Sequence, residues 1–151
     1  MMMHRSRSNI LYSAVLLASL LAWGVQAAAQ SPSTTTLLAR LTGASLVPPT
    51  DSTATGSMQV SLDKQSGVLK WTLSTQGLSG PPVGASFHGP AMPGENAAVA
   101  VPLPLSSGID TGSVTLTPVQ VDQLLAERWY VNVVTKAAPE GEIRGQVIVG
   151  K

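Results

Sequence analysis

Four side chains in this sequence could do chemistry by their type and spacing. They are His88, in GASFHGPAMPG, and Glu140, Glu142 and Arg144, in PEGEIRG. An imidazole near carboxylates suggests metal binding or proton transfer. A zinc or copper site needs three or four ligands drawn from His, Cys and carboxylates. The chain has no cysteine, and its second histidine is His4, inside an N-terminal segment with the marks of a cleaved signal. A histidine cluster within one processed chain is therefore excluded. His88 could coordinate only with carboxylates, with Met92 four residues on, or with a second chain. The competing reading is structural: His88 closes a strand and hydrogen-bonds the loop that begins at Gly89 and Pro90. Ser86 has the same strand parity and faces the same way.

Glu142 and Arg144 flank Ile143 and so fall on one side of a strand. A carboxylate beside a guanidinium stays ionised and is a poor proton donor. Arg144 is better read as pinning a loop or a neighbouring strand through forked hydrogen bonds. The many Ser and Thr residues include no Gly-x-Ser-x-Gly elbow, and any histidine-dependent triad would have to use His88. GPAMPGENA has glycines but not the strand–loop–helix context of a phosphate cradle. Trp71 and Trp129 alternate with apolar residues and read as core, with carbohydrate stacking the other use open to Trp129. The chain reads as a non-enzyme, with no cofactor implied.

These residues need a frame to hold them. The first 29 residues have the order of a secretory signal peptide: Arg5 and Arg7, an uncharged apolar run from Ile10 to Gly24, then VQAAAQ. The apolar run falls short of the roughly 18 residues of a spanning helix, so no membrane span is expected after cleavage. Cleavage after Ala27 or Ala29 fits. Removing Arg5 and Arg7 leaves seven basic and eight acidic residues, a net charge of −1. No basic block remains for nucleic acid. Residues 30–36 read as a flexible leader and 37–150 as one domain. The expected location is the periplasm or outside the cell.

Within the domain, short alternating runs are broken by Gly and Pro. Met58, Val60 and Leu62 alternate with Ser57, Gln59 and Ser61, and Leu69, Trp71 and Leu73 repeat the pattern after DKQSG, which predicts a hairpin. Further strands are predicted over 37–43, 83–89, 96–103, 111–116, 129–135 and 142–149. One segment has a helical period, 118–127, with Thr117 as N-cap, Pro118 in the first turn and Gln120 completing a capping box. About eight strands and one short crossing helix predict an all-β, antiparallel Greek-key β-sandwich.

Three stretches, LTGASLVPPTDSTATGSMQVSLD, GLSGPPVGASFHGPAMPGENA and YVNVVTKAAPEGEIRGQV, together resemble the CHRD domain family, the module named from chordin. The resemblance covers residues 37–149. It implies an immunoglobulin-like sandwich of the Cu,Zn superoxide dismutase type. It also implies that the family motif falls on Gly43, Val47, Pro48, Pro49, Gly56, His88, Gly89, Asn132, Glu140, Gly141, Glu142, Arg144 and Gly145. Three ligand-capable positions of the family pattern are replaced here, by Leu46, Ser86 and Val134. Two functions follow. One is an exported, non-catalytic binding or structural module for a protein or extracellular polymer, working through a sheet face or the loops around 43–55, 76–96 and 136–141. The other is a metal-handling or dismutase-like protein using a depleted site around His88.

Overall fold

The computed structural model describes residues 33–105 and 109–151. The expected signal peptide and residues 30–32 of the expected leader lie outside these. In chain order the elements are β1 (Thr34–Thr42), β2 (Thr55–Asp63), β3 (Val68–Gln76), β4 (Pro82–His88), β5 (Val99–Leu103), β6 (Asp110–Thr115), α1 (Pro118–Leu125), β7 (Tyr130–Thr135), β8 (Ile143–Gln146) and β9 (Ile148–Val149). All pairings are antiparallel, in the order β5-β4-β7-β8-β1-β2-β3-β6, with β9 beside β1. The β1–β8 junction is narrow, with Thr42 opposite Arg144 as its register pair.

The sheet folds over at that junction into two facing layers, β5-β4-β7-β8 and β1-β2-β3-β6. The chain passes between layers after β3, after β5, after β6 through α1, and again from β8 to β9, which pairs with β1. This is the antiparallel sandwich with one crossing helix that the strand pattern predicts. Its core is built by period-two alternation. Leu37, Ala39 and Leu41 of β1, Met58, Val60 and Leu62 of β2 and Leu69, Trp71 and Leu73 of β3 all point inward and are buried. They meet Phe87, Val101, Val131, Val133 and Ile143 from the opposite layer. Trp71 meets Phe87 edge-on across the layers at 6.1 Å between ring centroids, and Phe87 continues to Trp129 at 5.8 Å. Such aromatic pairs stabilise beyond their buried area. Trp129 is fully buried, which removes the carbohydrate-stacking use.

Local details follow the sequence closely in some places. The β2–β3 hairpin turns at Gly67, whose φ of 71° suits glycine. Thr117 Oγ1 accepts from Gln120 N–H, and Gln120 Oε1 accepts from Thr117 N–H, forming the capping box. Elsewhere the boundaries differ. β1 starts at Thr34 rather than residue 37, because Thr34, Thr35 and Thr36 pair with Asp63, Leu62 and Ser61. The helix ends at Leu125, two residues early, and Glu127 turns the chain at φ 58°. The last predicted strand splits. β8 pairs with β7, and β9 pairs with β1, with the buried Val147 between them.

Trp71 is also the floor on which β6 rests. A Cβ added at Gly112 would lie 2.1 Å from Trp71 Cζ2. Trp71→Ala is expected to cost about 3–5 kcal/mol, and Gly112→Ala about 1–3 kcal/mol by overpacking, both by urea denaturation. Because the two changes share one space, the double variant should cost clearly less than their sum. Strict additivity would mean that the indole and Gly112 are not in contact.

Candidate functional site

The predicted site residues gather on the outer face of β4, β7 and β8. Register places Ser86, Asn132 and Arg144 in one row across the three strands, and His88, Tyr130 and Gln146 in the next. An outer sheet face is normally wet. Here Tyr130, Asn132 and Arg144 are buried, at 3%, 9% and 2% exposure. Three loops roof the face: 43–54, 89–98 and 136–142. His88, Tyr130, Asn132 and Arg144 are each hydrogen-bonded to that roof.

Arg144 donates through Nη1 to Asn96 Oδ1 (2.9 Å) and through Nη2 to Glu95 O (2.5 Å). Its guanidinium carbon lies 3.5 Å from the Tyr130 ring centroid, a cation–π contact. Burial pulls the Arg144 pKa below its usual value, and the neighbouring Tyr130 acts the other way. The residue stays a cation at neutral pH. Asn96 passes the restraint on, donating from Nδ2 to Val47 O at 2.9 Å. So one arginine holds the 89–98 loop directly and the 43–54 loop through Asn96, which is the forked pinning read from the sequence.

His88, from the neighbouring strand β4, stacks on Tyr130 at 4.9 Å with only 8° between the planes. Its Nδ1–H donates to Ala97 O at 2.9 Å, and Ser86 Oγ lies 3.0 Å from Nε2. With the proton on Nδ1, Nε2 accepts from the Ser86 hydroxyl. Both ring nitrogens are therefore occupied. Tyr130 OH donates to Ala97 O and accepts from Ala97 N–H. His88 closes its strand and fastens the loop that follows, while Ser86 sits beside it as its parity predicts.

Glu142 departs from expectation. It does not pair with Arg144. β8 begins only at Ile143, and the chain reaches Glu142 from Gly141 at φ 139°, so strand alternation does not extend back to the carboxylate. Instead Glu142 is buried and accepts from Ser79 N–H (2.7 Å), Ser79 Oγ (2.6 Å), Thr135 Oγ1 (2.5 Å) and Ser52 Oγ (3.3 Å). Burial alone would raise its pKa. The donors from Ser79, Thr135 and Ser52 outweigh that and hold it below the ordinary carboxylate value of 4.5. Glu142 thereby ties the 43–54 loop, the β3–β4 connection and β7 together.

The remaining motif residues serve the same packing. Asn132 donates from Nδ2 to Glu140 O at 3.1 Å, and Gly141 lies so close that an added Cβ would meet Asn132 Oδ1 at 2.4 Å. Gly89 lies against the Trp129 indole and Gly145 against Arg40 O, while Gly43 O accepts from Leu46 and Thr50 N–H. Gly56 lies against Ile143 and Leu41. Val47–Pro48 and Gly89–Pro90 are cis peptides. Leu46, Val47, Pro48, His88, Asn96, Tyr130, Asn132, Glu140 and Arg144 line a cleft of about 330 Å³; Pro49 lines the adjoining one. Val134 faces outward opposite Gly84, two residues along β7 from Asn132. Among the described residues no three of His, Cys, Asp and Glu come together as a metal-binding group.

Sequence reading missed Tyr130, Asn96, Ser52, Ser79 and Thr135. Tyr130 shares the parity of Asn132 and could have been found from YVN. Asn96, Ser52 and Ser79 act across the chain from loops with no local pattern, and Thr135 ends β7, seven residues from the carboxylate it donates to.

Glu142 gives a pH-dependent expectation. Its folded pKa is lowered, so the unfolded chain binds the proton more tightly and stability rises with pH through that window. The contribution is full above about pH 4.5, the unfolded value, and is lost as pH falls through the folded pKa. Glu142→Gln should cost about 1–3 kcal/mol at pH 7. In urea titrations run at falling pH, the gap between variant and parent should close below pH 4.5. A gap independent of pH would show that the carboxylate charge plays no part.

Comparison with curated proteins and with solved structures returns no match. A family model does match, that of the CHRD domain, over residues 37–147. The match spans β1 to β8, together with the roofed face that carries His88, Asn132 and Arg144, and the chain belongs to the CHRD domain family.

Proposed function

We propose that the protein is exported to the periplasm or beyond and works there as a non-catalytic CHRD-type module, binding a protein or extracellular polymer through its roofed loop end. The observation that carries this is how the polar groups are spent. His88, Tyr130, Arg144 and Glu142 are the groups with catalytic potential, and all are committed to fastening loops. A general base needs a free lone pair within reach of a substrate proton. The lone pair of His88 faces Ser86 Oγ instead. A set of loops held rigid by buried side chains is what a binding surface requires, since preorganisation lowers the ordering cost on association. In this reading 1–29 is the signal, 30–33 a short leader, and 34–150 the working domain. Among the described residues no helix is long and apolar enough to cross a membrane.

Mass spectrometry of the exported protein should place its N-terminus at Ala28 or Gln30. A species retaining residues 1–27 would remove export. Tag-free protein should bind Cu(II) or Zn(II) no tighter than about tens of micromolar, because a single imidazole gives few ligands and no preset geometry. Sub-micromolar stoichiometric binding by calorimetry, lost in His88→Ala, would overturn the module reading in favour of metal handling. Cross-linking in the exported fraction should map partner contacts to 43–54, 89–98 and 136–142, and Asn96→Ala should weaken them by freeing two loops together.

A further inference from the structure

The path of paired strands ends in two open edges, β5 and β6, and they differ. β5 is blunted: it is five residues long, carries Pro102, and shifts register against β4 between Phe87 and His88. Short edges, prolines and bulges protect an edge from pairing with another chain. β6, DTGSVT, has none of the last two devices. From Thr111 to Thr115 it has no proline, no charge and no register shift. Among the described residues no strand pairs with its far side. The register fixes which backbone groups are left over. Leu116 N–H donates to Gly67 O at 2.9 Å. Val114 and Gly112 share its parity, so they turn their N–H and C=O toward Leu69 and Trp71 of β3. Thr111, Ser113 and Thr115 turn theirs outward, a row of alternating donors and acceptors along the open edge.

That row is symmetric about Ser113. We propose that β6 pairs antiparallel with β6 of a second copy of this chain, about a two-fold axis at Ser113. Ser113 then exchanges two hydrogen bonds with its counterpart. Thr111 of each copy exchanges two with Thr115 of the other, and no outward group of the three residues is left unmet. The side chains agree with this register. Thr111 and Thr115, both exposed, form Thr–Thr pairs on the outer face. On the inner face the half-buried Val114 of one copy lies opposite Gly112 of the other, the glycine whose missing side chain leaves room for the Trp71 indole. Each valine thus covers the partner copy's core where it reaches the edge. Ile109 and Val119 flank the two ends of β6 and are 66% and 64% exposed. The two-fold carries Ile109 of each copy to the end where the other has Val119. Charge does not oppose the pairing. Lys70, beside Ser113 on β3, stands three strand spacings from its counterpart, about 14 Å, beyond the Debye length of about 8 Å. The two Asp110 side chains lie at opposite ends of the ladder. An unrelated extended segment meets the backbone groups but not this matching of Thr with Thr and Val with Gly, which favours a second copy. A six-residue edge is small beside a standard interface, so the dimer is a weak one. The surface shares no residue with the roofed face, and it stands or falls apart from the module reading.

Sedimentation velocity of the purified exported protein, from about 10 µM to about 1 mM, should show a monomer passing to a dimer. Over the same range, amide hydrogen exchange followed by NMR should slow at Thr111, Ser113 and Thr115 by at least about five-fold, while Gly112 and Val114, already bonded to β3, change little. Ser113→Lys and Ser113→Glu, each a change on an exposed side chain, put like charges opposite each other across the two-fold, where Cα atoms stand about 5.5 Å apart. Each variant alone should stay monomeric at about 1 mM with an unchanged melting curve. An equimolar mixture of the two should dimerise again, because the charges then attract. A parent protein that stays monomeric at about 1 mM overturns the proposal. So does a dimer that survives either substitution, and so does a mixture that stays monomeric. Should a variant unfold, the exchange pattern of the parent decides alone, and protection gained anywhere but at these three amides overturns the pairing.

Discussion

Arg144 on the face of Tyr130 is the contact on which the loop end depends. Burying a guanidinium costs several kcal/mol even after relaxation. The fold offsets this with an aromatic face, an amide oxygen and a backbone carbonyl rather than with a carboxylate. That choice has a geometric consequence. Asn96 and the Glu95 carbonyl belong to a loop, so the loop must close over β7 and β8 for the charge to be tolerated. Asn96 then draws Val47 with it. His88 and the Tyr130 hydroxyl take up Ala97 from the other side. Buried polar groups of this kind act together, because releasing one partner strands the others. The roof is therefore expected to open as a unit.

The two outer faces of the sandwich show how far this departs from ordinary sheet behaviour. On β1, β2 and β3 the outward residues are largely Ser, Thr, Gln, Lys and Arg, and most are exposed. That face needs no cover, because water satisfies it. On β4, β7 and β8 the polar outward residues are Ser86, His88, Tyr130, Asn132, Arg144 and Gln146, and the loops replace the water. Both faces rest on the same interior, and the Trp71–Phe87–Trp129 contact sets the spacing between the layers. Gly89 fits only because its missing side chain leaves room for Trp129. The turn that opens the roof is thus keyed to the core beneath it.

Much of this frame was legible in the sequence, and the reasons are physical. Alternation marks a strand wherever one face is buried and the other wet, so Met58, Val60 and Leu62 declare themselves, as do Leu69, Trp71 and Leu73. The capping box at Thr117 and Gln120 is local chemistry and reads locally. The boundaries that failed depend on distant partners. Thr34 to Thr36 look like a polar leader until β2 pairs with them. IRGQVIV looks like one strand until its two halves serve different neighbours. Glu142 and Arg144 look like an ion pair because they are two residues apart. The partners that claim Glu142 first, Ser52 and Ser79, are 90 and 63 residues away in sequence, and nothing in a single sequence announces them. His88 closes its strand and fastens the loop that follows through Ala97 O, and its place before Gly89 and Pro90 is the local signal for that.

A sandwich of this architecture does not settle what its residues do, since the same frame can carry unrelated sites. What distinguishes a working site from a structural one is the balance of satisfied and unsatisfied groups. Around Glu142 the account closes: its two oxygens receive four donors, and nothing is left to recognise. Around His88 it closes as well, with both ring nitrogens engaged. Around Arg144 and Asn132 it does not close. The cation has spare N–H groups and no counter-ion, and Asn132 Oδ1 has no donor. Native proteins leave few such groups unpaired. Arg144, Asn132 and His88 line one cleft, and the other buried polar atom without a partner among the described residues is Trp71 Nε1, in the core. Glu142 and His88, which look most catalytic in the sequence, spend their hydrogen bonds on packing, whereas Arg144 and Asn132, separated by eleven residues of strand and turn, stand on a cleft wall with hydrogen-bonding capacity left over.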